Sequence, residues 1–438
     1  MKPKIFFKKL DIVSIYLVLI ILFLVPFHAF LSIYSSTIVG HYTLTRLWKE
    51  FLLAFLVIAG FVTLVYRKSI TRTLAGTWLN RLILIYLAVL VIIGIGAIGF
   101  GSVSIKALFY GWLVDSRYLI FFLVTYALSL KYKKIKEMVP SIIFWPALIV
   151  VVFGLLEVFV LPRNFLTHFG YGPNTILPYG TINSNSKYVR IISFLRGPNP
   201  LGAYMVIPIC LGTYWLIAQK NQQKILSLIF LIASVAVLYF SFSRSAWIGA
   251  AIGIAVVVWY SIKNVKIRRY LLVVGALLVL IGGILVVLDR HSTTIQNIFL
   301  HTQSHSKIKT TSDQGHIAAL ETGASQIASQ PLGKGPGTSG PASVYNKYPA
   351  RIPENYFIQI GQEVGWIGLA LFLAINFFVL KELYLRRNDP DALVLLASFL
   401  GICFINLLAF AWADDTLSYL WWGMAGAVLA MPRPEKNN

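Results

Sequence analysis

Long apolar runs alternate with short polar breaks along the whole 438-residue chain. Runs of about 18 residues or more are long enough to cross a hydrocarbon layer of ~30 Å as helices. Lipid offers the backbone no hydrogen-bond partners, so the runs must be helical. The pattern predicts an all-α polytopic membrane protein with twelve spans, at 11–33, 45–66, 79–100, 113–130, 139–160, 198–218, 224–241, 246–262, 269–289, 356–380, 391–412 and 416–431. The first run is too long for a signal-peptide core and lacks a small-residue cleavage site, so it reads as a signal anchor.

The breaks supply the orientation. With "MKPKIFFKKL" placed in the cytoplasm, every second break is cytoplasmic, and these segments hold 23 of the 38 Lys and Arg residues. That bias is the positive-inside signal, and it puts both termini in the cytoplasm. Two long loops, 161–197 and 290–354, then fall on the outer side, the larger between the ninth and tenth spans. Loops of such length are usually functional or disordered. Within the second, "QGHIAALETGASQIASQ" sets Ile317, Leu320, Ala324 and Ile327 at helical spacing, and "PLGKGPGTSGP" ends any helix. The whole of 1–438 reads as a single integral membrane domain.

Composition narrows the class further. Apolar residues make up 58% and charged residues 12% of the chain, which excludes a soluble globule. A net charge of +22 could suggest nucleic acid, but the cations sit in the breaks, where topology accounts for them, and no nucleic-acid partner is expected. Cys210 and Cys403 lie inside apolar runs and indicate neither a disulfide nor a metal site. His301, His305 and His316 have no ligand spacing for zinc. No metal or cofactor is expected.

Candidate chemistry collects on the outer side. In "YFSFSRSAWIGAAIG", Arg244 stands between two serines in a tight turn; a helix start beside a guanidinium suits an anion, although an Arg at a span end can also anchor to headgroups. "KYVRIISFLRGPNPLGAYM" puts Arg190 and Arg196 before a span on the same side. Three arginines there suggest a phosphate or diphosphate ligand. Glu354 is expected in the first turn of the tenth span, where it fits either a general base or an acidic cap; Asn355 follows it. Glu363 suits packing or a buried hydrogen bond. Asp414 and Asp415 could bind a cation or orient a basic group. Asp115 and Arg117 could pair with each other, and Glu157 could serve an interface. "GKGPGTSG" lacks the Gly-Lys-Ser/Thr order of a phosphate loop and follows a helix-like segment, so a tight turn is expected.

Four stretches together resemble the O-antigen ligase and O-antigen polymerase family of bacterial membrane glycosyltransferases. They are the Ser-Arg-Ser turn at Arg244, "QPLGKGPGTSG", "ENYFIQIGQEVGWIGLALFL" with its Glu-x-Gly-x-x-Gly, and "RGPNPLGAYM". The resemblance is strongest over 190–380. It implies a GT-C-like helical fold and an undecaprenyl-diphosphate-linked glycan donor. Transfer would take place at the outer face of the cytoplasmic membrane, to a glycan, lipid A-core or other hydroxyl acceptor, without nucleotide or metal. It carries the family's diphosphate-binding turn arginine onto Arg244. At the two catalytic positions this chain departs from the family: Glu354 stands where ligases carry His, and His316 falls at about a second loop arginine.

A glycan on a lipid diphosphate is already activated, so the enzyme needs cations for the leaving group and a base for the acceptor. Direct displacement with inversion is the expected course. The rival reading is a transporter or flippase of lipid-linked glycan. Transporters usually place ionisable groups near the midplane, whereas the polar residues here gather at one surface.

Overall fold

The computed structural model describes residues 3–182, 185–300 and 312–433, the side chains of 300 and 312–317 excepted. Fourteen helices carry the architecture: α1 (Pro3–Leu24), α2 (His28–Val39), α3 (Trp48–Tyr66), α4 (Trp78–Gly99), α5 (Ile105–Ser129), α6 (Val139–Phe159), α7 (Pro198–Ala218), α8 (Asn221–Phe240), α9 (Arg244–Ser261), α10 (Val265–Leu288), α11 (Ser312–Ser329), α12 (Tyr356–Leu385), α13 (Pro390–Asn406) and α14 (Asp415–Leu429). Ten segments are long and apolar enough to cross a membrane, α1 and α2 counting together as one. The shorter α13 and α14 occupy the last two expected positions. The chain is therefore an all-α polytopic membrane protein.

Local chemistry explains the boundaries that moved. Pro26 turns the chain through one 3₁₀ step between α1 and α2, because it cannot donate to the helical ladder. The fifth helix begins at Ile105 rather than 113. Its N-cap Ser104 accepts from Ala107 N (3.1 Å), and the extra turns pack on one side against the loop residues Gly340–Tyr345. A two-stranded antiparallel hairpin, β1 (Gly180–Ile182) and β2 (Asn185–Arg190), interrupts the first long loop. No apolar alternation announces it.

All fifteen residues of α14 are buried, so this short helix is the axis of the bundle. It packs along α5, with α7, α13 and α1 against its other sides. Phe399 stacks on Trp421, which also meets Trp412 and Trp422, each at 5.4 Å. The crossing of α9 and α13 is closer still. A Cβ on Gly401 would stand 2.3 Å from Gly249 O, and one on Gly249 would stand 2.8 Å from Gly401 O. Small residues let two backbones meet in this way inside a membrane.

Helix polarity gives the bundle two ends. At one, Asp11 is buried against Arg67 (2.7 Å) and Tyr132 (2.9 Å), and Lys136 bridges Asp389 and Asp391 (2.9 and 3.0 Å). At the other lie the hairpin, the glycine-rich segment 331–340 and the starts of α3, α5, α7, α9, α12 and α14. Gly401→Val is expected to overpack the α9–α13 crossing at a cost of ~1–3 kcal/mol or more. A thermal melt of the detergent-solubilised protein should show the midpoint several degrees lower.

Candidate active site

Helix α12 is broken. At Gly365 the backbone takes φ 67° and ψ −166°, which no helix continues through. The glycine-rich segment fills the break. Lys334 N donates to Gln362 O and Gly335 N to Glu363 O, both at 2.9 Å, and Trp366 N donates to Pro331 O at 2.9 Å. The Glu363 side chain completes the joint by accepting from Gly337 N (2.7 Å) and Ser339 N (3.1 Å) through one carboxyl oxygen. A Cβ on Gly365 would stand 2.2 Å from Pro331 O, and one on Gly333 2.5 Å from Glu363 O, so both positions need glycine. The buried hydrogen-bonding role read for Glu363 and the tight turn read for "GKGPGTSG" are thus two halves of one structure. Asp115 does not pair with Arg117. It lies beside the Glu363 carboxyl and accepts from Tyr356 OH at 3.4 Å.

The segment leaves this joint as a 3₁₀ turn, Gly340–Tyr345, which walls a cavity of ≈ 240 Å³ against the starts of α3 and α5. Four charges form a closed ring at its floor. Lys49 Nζ lies 2.8 Å from Asp415 and 3.1 Å from Glu50; Arg117 reaches Glu50 at 3.2 Å and donates to Asp415. Each positive group touches both negative ones, which answers much of the cost of burying them. His28 backs the ring. Its Nδ1 accepts from Trp48 Nε1 (3.0 Å), so its proton sits on Nε2 and points at Asp415, 3.2 Å away. The rim carries Arg46, Arg196, Tyr110 and Tyr345, and the two tyrosine rings stack at 4.4 Å.

The expected site residues divide between this cavity and a neighbouring turn. Arg196 lines the cavity, with Nε 3.7 Å from Asp414. Asp414 also caps α14, accepting from Thr416 N and Leu417 N (3.1 and 3.3 Å). Burial pushes its carboxyl above the usual range, against the pull of Arg196. Asp415 contacts Lys49, Arg117 and His28 at the floor of the cavity. Arg190 and Arg244 stand together at the α8–α9 turn. Arg190 Nε donates to Ser241 O (2.9 Å) and Arg244 Nη1 to Phe299 O (2.9 Å). Burial, with the Arg244 guanidinium beside it, brings Arg190 down to about 10.

Glu354 is not in the first turn of its helix. It precedes the N-cap, half-buried, with φ 54°. Asn355 is the cap, accepting from Ile358 N (3.0 Å) while its amide donates to Leu407 O (2.9 Å). On the other side Arg351 N donates to Ser343 Oγ (3.0 Å), so the segment bearing Glu354 runs beside the 3₁₀ turn of the cavity wall. His316 belongs to α11, but its side chain lies outside the described residues. The expected face of that helix shifts slightly: Gly323 and Ile327 pack on Ile358 and Gly361, and Ala324 is exposed.

Sequence reasoning missed Arg46, Lys49 and Glu50, and gave Arg117 the wrong partner. The signal was present in "RLWKEFLLAFL", where two opposite charges open an apolar run; an ionisable residue within a span is a functional candidate by default.

Fold and site together define a polytopic membrane protein with a charged, sugar-sized cavity at one end and a paired-arginine turn beside it. Residues 228–373 match the model of the O-antigen ligase family. The match runs from α8 into α12 and takes in Arg244, the glycine-rich segment, Glu354 and Glu363, so the chain carries an O-antigen ligase family region there. No curated protein matches the chain.

Two substitutions test this construction. Glu363→Ala leaves two buried amides without an acceptor and is expected to cost ~2–4 kcal/mol, whereas Glu363→Gln keeps an oxygen for them and should melt closer to the parent. Asp415→Ala strands Lys49 and Arg117 with Glu50 alone. A loss of ~3–5 kcal/mol is expected, read as a lowered melting midpoint.

Proposed function

We propose that the protein transfers a glycan from an undecaprenyl-diphosphate-linked donor to an acceptor hydroxyl at the outer face of the cytoplasmic membrane, within a GT-C-like arrangement of twelve spans with both termini in the cytoplasm. The observation that carries this reading is the meeting of two arginines at the α8–α9 turn, Arg244 inside the region that matches the O-antigen ligase family and Arg190 reaching the same turn through Ser241 O. Two guanidiniums beside a helix start suit a diphosphate.

The reaction needs little else. The acceptor oxygen attacks the anomeric carbon as the bond from that carbon to the diphosphate oxygen breaks, so configuration inverts. The diphosphate departs on the polyprenol with its charge met by Arg190 and Arg244, and Arg196 is the third cation offered to it. Glu354 accepts the proton of the attacking hydroxyl. Its left-handed backbone supports this role, because a strained non-glycine residue at a ligand-facing segment marks a position that function holds in place. Asn355 fixes that segment by capping α12, Asp414 and Asp415 orient Arg196 and Arg117, and His316 is the second loop residue offered to the reaction. Because the donor is already activated, neither nucleotide nor metal is required.

The test is to incubate the purified full chain with lipid-linked glycan and a panel of hydroxyl acceptors, following product by mass. Arg244→Ala and Arg190→Ala are each expected to lower kcat by roughly 10²–10³-fold. Glu354→Gln should lower it by about 10²–10⁴-fold with the melt unchanged. Full activity in Glu354→Gln removes the base assignment, and flipping of labelled donor across vesicles without transfer removes the enzyme reading.

A further inference from the structure

We propose that the cavity walled by the 3₁₀ turn is a subsite for a negatively charged sugar of the acceptor, with Arg46 and Arg196 meeting its acidic group and the Tyr110–Tyr345 pair meeting its ring. The inference rests on the transferase reading with Arg190 and Arg244 at the α8–α9 turn holding the donor, and it moves Arg196, which lines the cavity, from the diphosphate to the acceptor.

Charge balance gives the first argument. Lys49 and Arg117 are answered by Glu50 and Asp415, so the floor ring is neutral as a set. Arg46 and Arg196 add two positive charges to the lining of the cavity. Asp414, the carboxylate nearest Arg196, is beyond hydrogen-bond range at 3.7 Å and accepts from two backbone amides. The rim is thus net cationic over a neutral floor, a field suited to one anionic group.

Shape and chemistry give the second. At ≈ 240 Å³ the cavity lies just under the ~300 Å³ lower end of small-ligand pockets, the size for one sugar unit rather than for a lipid. Tyr110 and Tyr345 stack on each other with rings inclined by 23°, Lys106 covers the other face of Tyr345 at 4.7 Å, and the pair gives the cavity its aromatic lining. The aromatic pair and the cationic rim together select an acidic sugar over a neutral one.

The experiment measures binding without turnover, so its outcome is independent of whether transfer occurs. Methyl glucuronide, glucose 6-phosphate and methyl glucoside are titrated against the full-length protein in nanodiscs by saturation-transfer NMR. The two acidic sugars are expected to bind roughly tenfold more tightly than the glucoside, and whichever is tighter names the acidic group. Arg46→Gln should bring both to the glucoside level while leaving the glucoside unchanged, and Tyr345→Ala should weaken all three. The melt of each variant is checked alongside. Equal binding of acidic and neutral sugars, no binding of any, or acidic-sugar binding that survives Arg46→Gln and disappears in Arg244→Ala overturns the proposal.

Discussion

An interrupted membrane helix organises the end of the bundle that carries the cavity. A helix that stops hydrogen-bonding to itself inside lipid must find partners in other parts of the chain. Here the freed groups around Gly365 are met by a segment some thirty residues earlier, and the Glu363 side chain turns that repair into a fixed joint. The 3₁₀ turn that follows inherits its position from the joint. The wall of the cavity is therefore set by backbone hydrogen bonds rather than by side-chain packing, a stiffer support than a loop of its length would otherwise provide.

The second organising element is electrostatic. Lys49, Glu50, Arg117 and Asp415 come from three distant parts of the chain, and each is tolerable in the interior only because the others are there. Their ring ties α3, α5 and α14 together immediately beneath the cavity. Tertiary structure and site are coupled at this point, since the groups that hold the helices in register also line the place where a ligand would sit.

The spans were legible in the sequence because apolar length is a direct consequence of bilayer thickness: ten of the expected runs fall on segments long and apolar enough to cross a membrane, the first of them broken at Pro26, and the last two fall on the shorter α13 and α14. The boundaries of α5 were not legible, since its first turns pack on protein and need no lipid-like composition. The glycine-rich segment announced a tight turn, but nothing in it revealed that Glu363 would be its partner. Arg244 and Arg190 were readable as outer-side cations, and their proximity follows from β2 lying along the α8–α9 turn. Arg117 misled because its neighbour in sequence, Asp115, offered an opposite charge two residues away; residues at that separation point to different sides of a helix. Glu354 was placed in the helix because the apolar run begins two residues after it, whereas the cap is chosen by which side chain can reach the free amides, and Asn355 does so.

The burial of α14 carries a consequence for synthesis. The chain emerges from the ribosome amino end first, and the residues that surround this helix are made before it. Until residue 415 arrives, Lys49 and Arg117 face a single carboxylate, and the faces of α5, α7 and α13 that will enclose the axis have only lipid or one another to meet. The nascent bundle must stay loose enough to admit a late, tryptophan-rich helix into its centre. Insertion of α14, rather than of any earlier span, is the step that closes this core.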